Sequence, residues 1–400
     1  MFDQLFKSPV VVARHRSGPL LEERLGFLAH LANQGYSRTQ LRRNANGLLV
    51  IAQMLGSASR PRKAITPGRL KQKLAQRSSL YPLATRWLLF TGRLRLRPAA
   101  VTPCAKKLKA FAQHLEHERE LSGATVHTYC WLLSRFCDRL RVKGDPLHDI
   151  TPQRIDRAIQ KLADPGGYSR NTIRNWVYAL RAFFRFAASR GWCREGLAAG
   201  IRGPRVFSQA PLPWGPSWDD VRRLLASTEG DQPHQVRARA ILMLLAVYGL
   251  RAGEVSRLRL EDFDWEQEVF HVVSSKTKRV RTYPLTRSVG DAILRYLQEV
   301  RPRSSYRELF LSLRAPFRPV CKSLWSMVAD RWRSLHVSLS HSGPHVLRHA
   351  CATRLLAAGL SLKEIGDQLG HVDPNSTRIY AKVDLVSLRQ VADFDLGGVR

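Results

Sequence analysis

Apolar residues recur at helical spacing over 19–34, 37–56, 66–77 and 82–91, and this first set of predicted helices ends at Arg97-Pro98. A second set is predicted over 104–120, 123–142, 151–163 and 169–190, where Ile173, Val177, Leu180, Phe184 and Ala187 mark a single core-facing stripe. Gly203-Pro204, Pro211, Pro213, Gly215 and Pro216 then break every periodicity, so 202–216 reads as an interdomain linker. From 217 the pattern is mixed. Helices are predicted over 217–227 and 236–248, the latter closed by Gly249, with a short helix from Ala252. The alternating stretches 269–273 and 280–283 flank a tip of Ser274 to Arg279 and predict a hairpin. Helices follow over 288–300, 320–335, 344–358, 361–369 and 374–380. The expectation is a mainly α, multi-domain chain with one small antiparallel sheet in its C-terminal domain.

The two helical sets echo each other. Ile65-Thr66-Pro67-Gly68-Arg69-Leu70 recurs 85 residues later as Ile150-Thr151-Pro152-Gln153-Arg154-Ile155. Upstream, Gly35-Tyr36-Ser37-Arg38-Thr39 and Leu121-Ser122-Gly123-Ala124-Thr125 each open a long helix at nearly the same offset. Thr-Pro is a common helix start, which leaves chance as the competing reading; a degenerate internal duplication is favoured.

Charge narrows the function classes. The 400 residues carry 65 Lys plus Arg against 32 Asp plus Glu, a net charge of +33. Such an excess repels itself in a compact state and calls for a polyanionic partner, nucleic acid before an anionic membrane surface. The bias is steepest over 1–98, with 18 basic and 3 acidic residues. Six cysteines without metal-ligand spacing read as unpaired small apolar residues of a reducing compartment. No signal-peptide core precedes Arg16 and the longest apolar run, 240–247, is too short to span a bilayer, so a soluble, cytoplasmic protein is expected.

The chemistry-bearing residues lie in the last third. His345 and Arg348 are three apart on a predicted helix and project from one face, where imidazole and guanidinium can hold one anionic group. Arg251 follows Gly249 beside a helix N-terminus, a place where backbone amides and a cation converge on phosphate. Lys276 stands at the hairpin tip. Leu369-Gly370-His371 and Thr377-Arg378-Ile379-Tyr380 complete the set, with 26 residues from His345 to His371 and nine more to Tyr380.

In both letters and spacing, Arg251, Lys276, His345-x-x-Arg348, His371 and Tyr380 resemble the tyrosine site-specific recombinases, the family of phage integrases and Xer-type resolvases. The resemblance is strong over 217–383, looser over 104–200, and absent over 1–98. It implies a DNA clamp with a helical core-binding domain of SAM-like fold at 99–201, the linker at 202–216 and a catalytic domain at 217–383; helix pattern and charge make 1–98 an additional basic helical domain, and the apolar positions of the tail at 384–400 suit exchange between subunits. It also implies a DNA strand transferase that needs neither metal, cofactor nor ATP. Tyr380 would attack the scissile phosphorus of double-stranded DNA at specific sites to give a 3′-phosphotyrosine. Arg251, Arg348 and His371 would stabilise the phosphorane, Lys276 would protonate the leaving 5′-oxygen, and His345 would take or relay the phenolic proton. Glu254 would orient Arg251, and His349 reads as a core-facing histidine. The implied assembly is a tetramer on synapsed DNA that serves integration or excision of a mobile element, with Xer-like resolution as the alternative. Other recombinases or DNA-bending accessory proteins are candidate partners. Competing readings are a type IB topoisomerase, a catalytically silent accessory recombinase, and a metal-dependent nuclease or transposase using Asp219-Asp220 or Glu261-Asp262-Phe263-Asp264.

Overall fold

The computed structural model describes residues 1–55, 65–95, 103–140, 147, 150–163, 168–205, 215–274, 279–321 and 323–383. The tail 384–400, most of the expected linker and the hairpin tip with Lys276 lie outside the described residues. Two compact units emerge, Met1–Leu94 with Gln209–Arg400, and Arg95–Ser208.

The N-terminal residues form α1 (Phe2–Leu5), α2 (Pro9–Ser17), α3 (Leu21–Asn33), α4 (Arg38–Leu55), α5 (Pro67–Lys73) and α6 (Tyr81–Phe90). The first two were not expected. In α2 only Val12 and His15 are buried, so no apolar stripe announces the helix. Phe27, Leu28, Leu31, Leu48, Ile51, Trp87 and Leu88 make a core of their own. Although these helices have a separate core, they belong to the same compact unit as the C-terminal residues.

The second unit contains α7 (Pro103–His117), α8 (Gly123–Leu140), α9 (Pro152–Ala163), α10 (Arg170–Ser189) and α11 (Leu197–Gly200). The expected stripe of α10 is buried as predicted, against Phe111, Leu133 and Phe136. Cys104 and Cys137 are joined by a disulfide between α7 and α8, which corrects the reading of all six cysteines as unpaired. The packing of two helices, not sequence spacing, brings these thiols together.

The C-terminal residues form α12 (Trp218–Ala226), α13 (Pro233–Val247), α14 (Ala252–Val255), α15 (Arg287–Arg295), α16 (Ser323–Ser334), α17 (His345–Ala357), α18 (Leu362–Leu369) and α19 (Asn375–Arg378). Helix α13 is apolar on every side because it is surrounded: it packs against α12, α15 and α17. The sheet is antiparallel in the order β1 (Phe263–Asp264), β2 (Val269–Val273) and β3 (Val280–Pro284). Phe270 pairs with Tyr283 and both face the core. The two-residue β1 is one strand more than expected; a segment that short carries no alternation to detect. The predicted helix over 288–300 is α15 followed by a π turn, Tyr296–Val300. No helix of the described residues is long and apolar enough to cross a membrane.

Candidate active site

The site begins where α13 ends. Gly249 has φ +62°, and a Cβ there would come within 2.5 Å of Leu369 Cδ2, so only glycine allows the chain to turn so close to α18. The turn delivers Arg251 as the N-cap of α14. Its amide donates to Glu254 Oε2 at 2.9 Å, and its guanidinium donates to Glu254 Oε1 at 3.0 Å and to the Gly370 carbonyl at 3.2 Å. Glu254 is fully enclosed and also accepts from Arg281 of β3 at 2.7 Å. Arg281 went unnoticed in the sequence. Gly370, at φ +65°, passes beside it, and a Cβ there would lie 2.6 Å from the Arg281 Cζ.

Arg348 comes from the first turn of α17 and is 2% exposed. It donates to the Gly249 and Leu369 carbonyls at 2.7 Å each, tying the end of α13 to the end of α18. Among the described residues it makes no ion pair. Burial, with Arg251 adding repulsion, lowers its pKa to about 10, so it is still a cation at neutral pH. Two guanidinium groups thus share the Glu254 carboxylate while Arg348 stands nearby with no carboxylate of its own, and this local excess of positive charge favours an anion.

His345 opens α17 on the same face. Burial lowers its pKa, and the Arg348 and Arg251 charges lower it further. His371 follows Gly370; its Nδ1 lies 2.7 Å from Thr377 Oγ1, leaving Nε2 as the ring nitrogen available to a bound group. Burial first, then Arg348 and Arg251, hold its pKa down at about 4, so it is neutral near pH 7. Arg251, His345 and Arg348 line an open cleft of about 970 Å³, with His349 and Trp325 at its wall.

Tyr380 sits in a 3₁₀ turn, Ile379–Val383, directly after α19. It is 2% exposed, packed with Cys351, Ala352, Ile365 and Leu369, and is not among the residues lining the cleft. Its hydroxyl is 2.9 Å from His349 Nδ1. Burial pushes its pKa up to about 12 against the opposing charge of Arg348. His349 is therefore not the bystander expected. It holds the phenol that His345 was expected to serve, while the His345 ring lies tilted against the His349 ring with centroids 4.9 Å apart. The signal was present in the sequence: 345, 348 and 349 share one helical face. Burial lowers the His349 pKa to about 4, so its ring is neutral and can accept the phenolic hydrogen.

Four of the six expected residues, Arg251, His345, Arg348 and His371, are thus brought into one electrostatic neighbourhood. Tyr380 is adjacent but turned into the packing, and Lys276 is outside the described residues. The acids that a metal-dependent mechanism would need have other partners. Asp219 and Asp220 pair with Arg222 and Arg223, Glu261 pairs with Arg307, and Asp262 and Asp264 accept backbone amides.

Known proteins resemble this chain in sequence and fold. Residues 217–385 match the phage integrase family and residues 108–191 the N-terminal SAM-like domain of phage integrases. A Sinorhizobium fredii protein named as an integrase/recombinase, y4gC, is 46% identical over 182 residues, covering 45% of this chain and 94% of that protein. The tyrosine recombinase XerC of Alcanivorax borkumensis is 32% identical over 291 residues, covering 72% of this chain and 92% of its own length. The crystal structure of XerH site-specific recombinase bound to a palindromic difH substrate, a post-cleavage complex, superposes with a TM-score of 0.57. It is 19% identical, covers 73% of this chain and 87% of that one, and speaks for the fold. The chain belongs to the phage integrase family of tyrosine recombinases, enzymes that transfer DNA strands.

Proposed function

We propose that this chain cuts and rejoins duplex DNA at specific sites, with Tyr380 as nucleophile. The Tyr380 oxygen bonds to the scissile phosphorus as the bond to the 5′-oxygen breaks, giving a 3′-phosphotyrosine and a free 5′-hydroxyl. A 5′-hydroxyl of a partner strand then reverses the step, so bond energy is conserved. Arg251 and Arg348 donate to the non-bridging oxygens, His371 adds a neutral N–H, and Lys276 supplies the proton to the leaving oxygen. His349 accepts the phenolic hydrogen in the conformation described, with His345 beside it as the next base. Attack requires the 379–383 turn to bring the phenol out of its packing and into the cleft.

The observation that carries this reading is the convergence of Arg251 and Arg348, 97 positions apart, on one cleft, where the buried Glu254 carboxylate is shared by Arg251 and Arg281 and leaves Arg348 without an acidic partner among the described residues. The DNA in the complex of Tn1549 transposon integrase with circular intermediate DNA supports a DNA partner, and that transposon integrase and the S. fredii integrase/recombinase support integration or excision of a mobile element. Assembly of four copies on two paired sites fits the need for a partner strand. On nicked suicide duplexes, wild-type protein should accumulate covalent adducts in EDTA, and Tyr380→Phe should bind the same duplexes and form none. Adducts from the Phe variant would overturn the assignment.

A further inference from the structure

The phage integrase matches leave residues 1–107 unassigned, and this stretch holds a second copy of the helical module that follows it. Ser37 caps α4 and Ser122 caps α8, each with its Oγ 3.3 Å from the amide three residues on. The two helices have 18 residues each. Thr66 and Thr151 cap α5 and α9, each with Oγ1 3.4 Å from an arginine amide, of Arg69 and Arg154. Both pairs of caps are 85 residues apart, so no insertion separates them.

The interiors coincide as well. Phe27, His30 and Phe90 form a trio with ring centroids 6.2, 4.8 and 5.3 Å apart. Phe111, His114 and Phe186 form the same trio at 6.4, 4.7 and 5.5 Å. Leu41 and Val126, Leu48 and Leu133, Ile51 and Phe136, and Leu70 and Ile155, each 85 apart, are all buried, as are Trp87 and Phe183, which share the 96-residue offset of Phe90 and Phe186. Chance Thr-Pro helix starts do not reproduce capping geometry, spacing and an aromatic trio together.

What differs is the surface. In the 85-residue register, Arg38, Arg42 and Arg43 of α4 stand where α8 has Gly123, His127 and Thr128. All three arginines are exposed, and Arg42 and Arg43 line a groove of about 290 Å³ with Thr39, Gln40 and Asn46. Two of the three acids in 1–98 are already engaged, Asp3 with Arg16 and Glu23 with Arg93. Among the described residues Arg38, Arg42 and Arg43 make no ion pair. Exposed like charges one helical turn apart repel unless a polyanion lies across them.

We infer that residues 1–94 are a duplicated module whose α4 face is a second DNA-contact site, binding duplex phosphates beyond those gripped by the rest of the chain. This rests on the reading that the chain acts on duplex DNA. The test uses full-length protein carrying Arg38→Glu, Arg42→Glu and Arg43→Glu together, with Arg38→Gln, Arg42→Gln and Arg43→Gln as the milder set. Affinity for a duplex recombination site is measured against salt, with footprinting alongside. Three phosphate contacts contribute about 2.7 to the slope of log affinity against log salt. The Glu set should lose most of that and shorten the footprint, and the Gln set should lose nearly as much. Adduct formation through Tyr380 on nicked DNA at saturating protein should stay within about twofold in either set, which separates failure here from failure of the active-site assignment. Unchanged slope and footprint in variants with wild-type circular dichroism would overturn the inference. A changed oligomeric state with an unchanged slope would do the same, and would make the face a protein contact.

Discussion

In the proposed active site, the arginine cradle and the turn that carries Tyr380 are built in opposite ways. Arg251, Glu254, Arg281 and Arg348 are locked to one another and to the carbonyls of Gly249, Leu369 and Gly370, so the donors are in place before any substrate arrives. Tyr380 is held in a short 3₁₀ turn by a small apolar cluster and one hydrogen bond to His349. Preorganised donors act where charge develops and need no reorganisation during the reaction. A nucleophile that can form a covalent bond with DNA is better withheld until a site is bound. The contrast is between a cradle already formed and a phenol that the proposed reaction must release from its packing.

Substitutions in the two halves should therefore differ in kind. Arg348→Ala removes a donor proposed to stabilise the transition state and also the tie between α13 and α18. Adduct formation on suicide DNA should fall by about a thousandfold, and thermal stability should fall with it. Arg348→Lys, which restores charge but cannot span both carbonyls, should recover only part of either. A variant that loses neither would show that the cradle is not what stabilises the reacting phosphate.

His349→Ala tests the other half. Its hydrogen bond to Tyr380 is worth about 1 kcal/mol, so releasing it should raise the population with an exposed phenol about fivefold. Chemical modification of Tyr380 in DNA-free protein, located by mass spectrometry, reads this directly. Adduct yield should change by less than tenfold. Unaltered Tyr380 reactivity would mean that the apolar cluster alone holds the turn.

The remaining expected effect is on pH. His349 and His371 have folded-state values of about 4, and an unfolded chain protonates them near 6.5. Between those limits the unfolded state binds more protons. The stability of DNA-free protein should therefore decline as pH falls from about 6.5 to 4, and these two groups should add no further loss below that. Melting midpoints across that range provide the measurement, and the decline should be shallower in His349→Gln.

Most of the helical architecture was legible because its amphipathic stripes and caps are local. Ser37, Thr66, Ser122 and Thr151 were visible as helix starts, and the aromatic trios are what the structure adds in support of the inferred duplication. The short β1 and the sparsely buried α2 left no periodic trace. Arg281 was invisible because nothing within β3 says that its guanidinium meets a carboxylate 27 residues upstream.

The order and spacing of Arg251, His345, Arg348, His371 and Tyr380 are properties of the chain, and they sufficed to name the reaction class. A helix of 3.6 residues per turn places 345, 348 and 349 on one face whatever surrounds it. Which of those histidines meets the phenol was decided by packing: α17 and the 379–383 turn share the cluster of Cys351, Ala352, Ile365 and Leu369, and that docking puts Tyr380 against His349. The same holds for the buried Glu254, whose place between two arginines depends on α14 and β3 meeting across the core. Local pattern sets which side chains share a face, because the backbone period is fixed. Which faces meet, and so which proton acceptor lies within 3 Å of the nucleophile, depends on how distant apolar surfaces exclude water together.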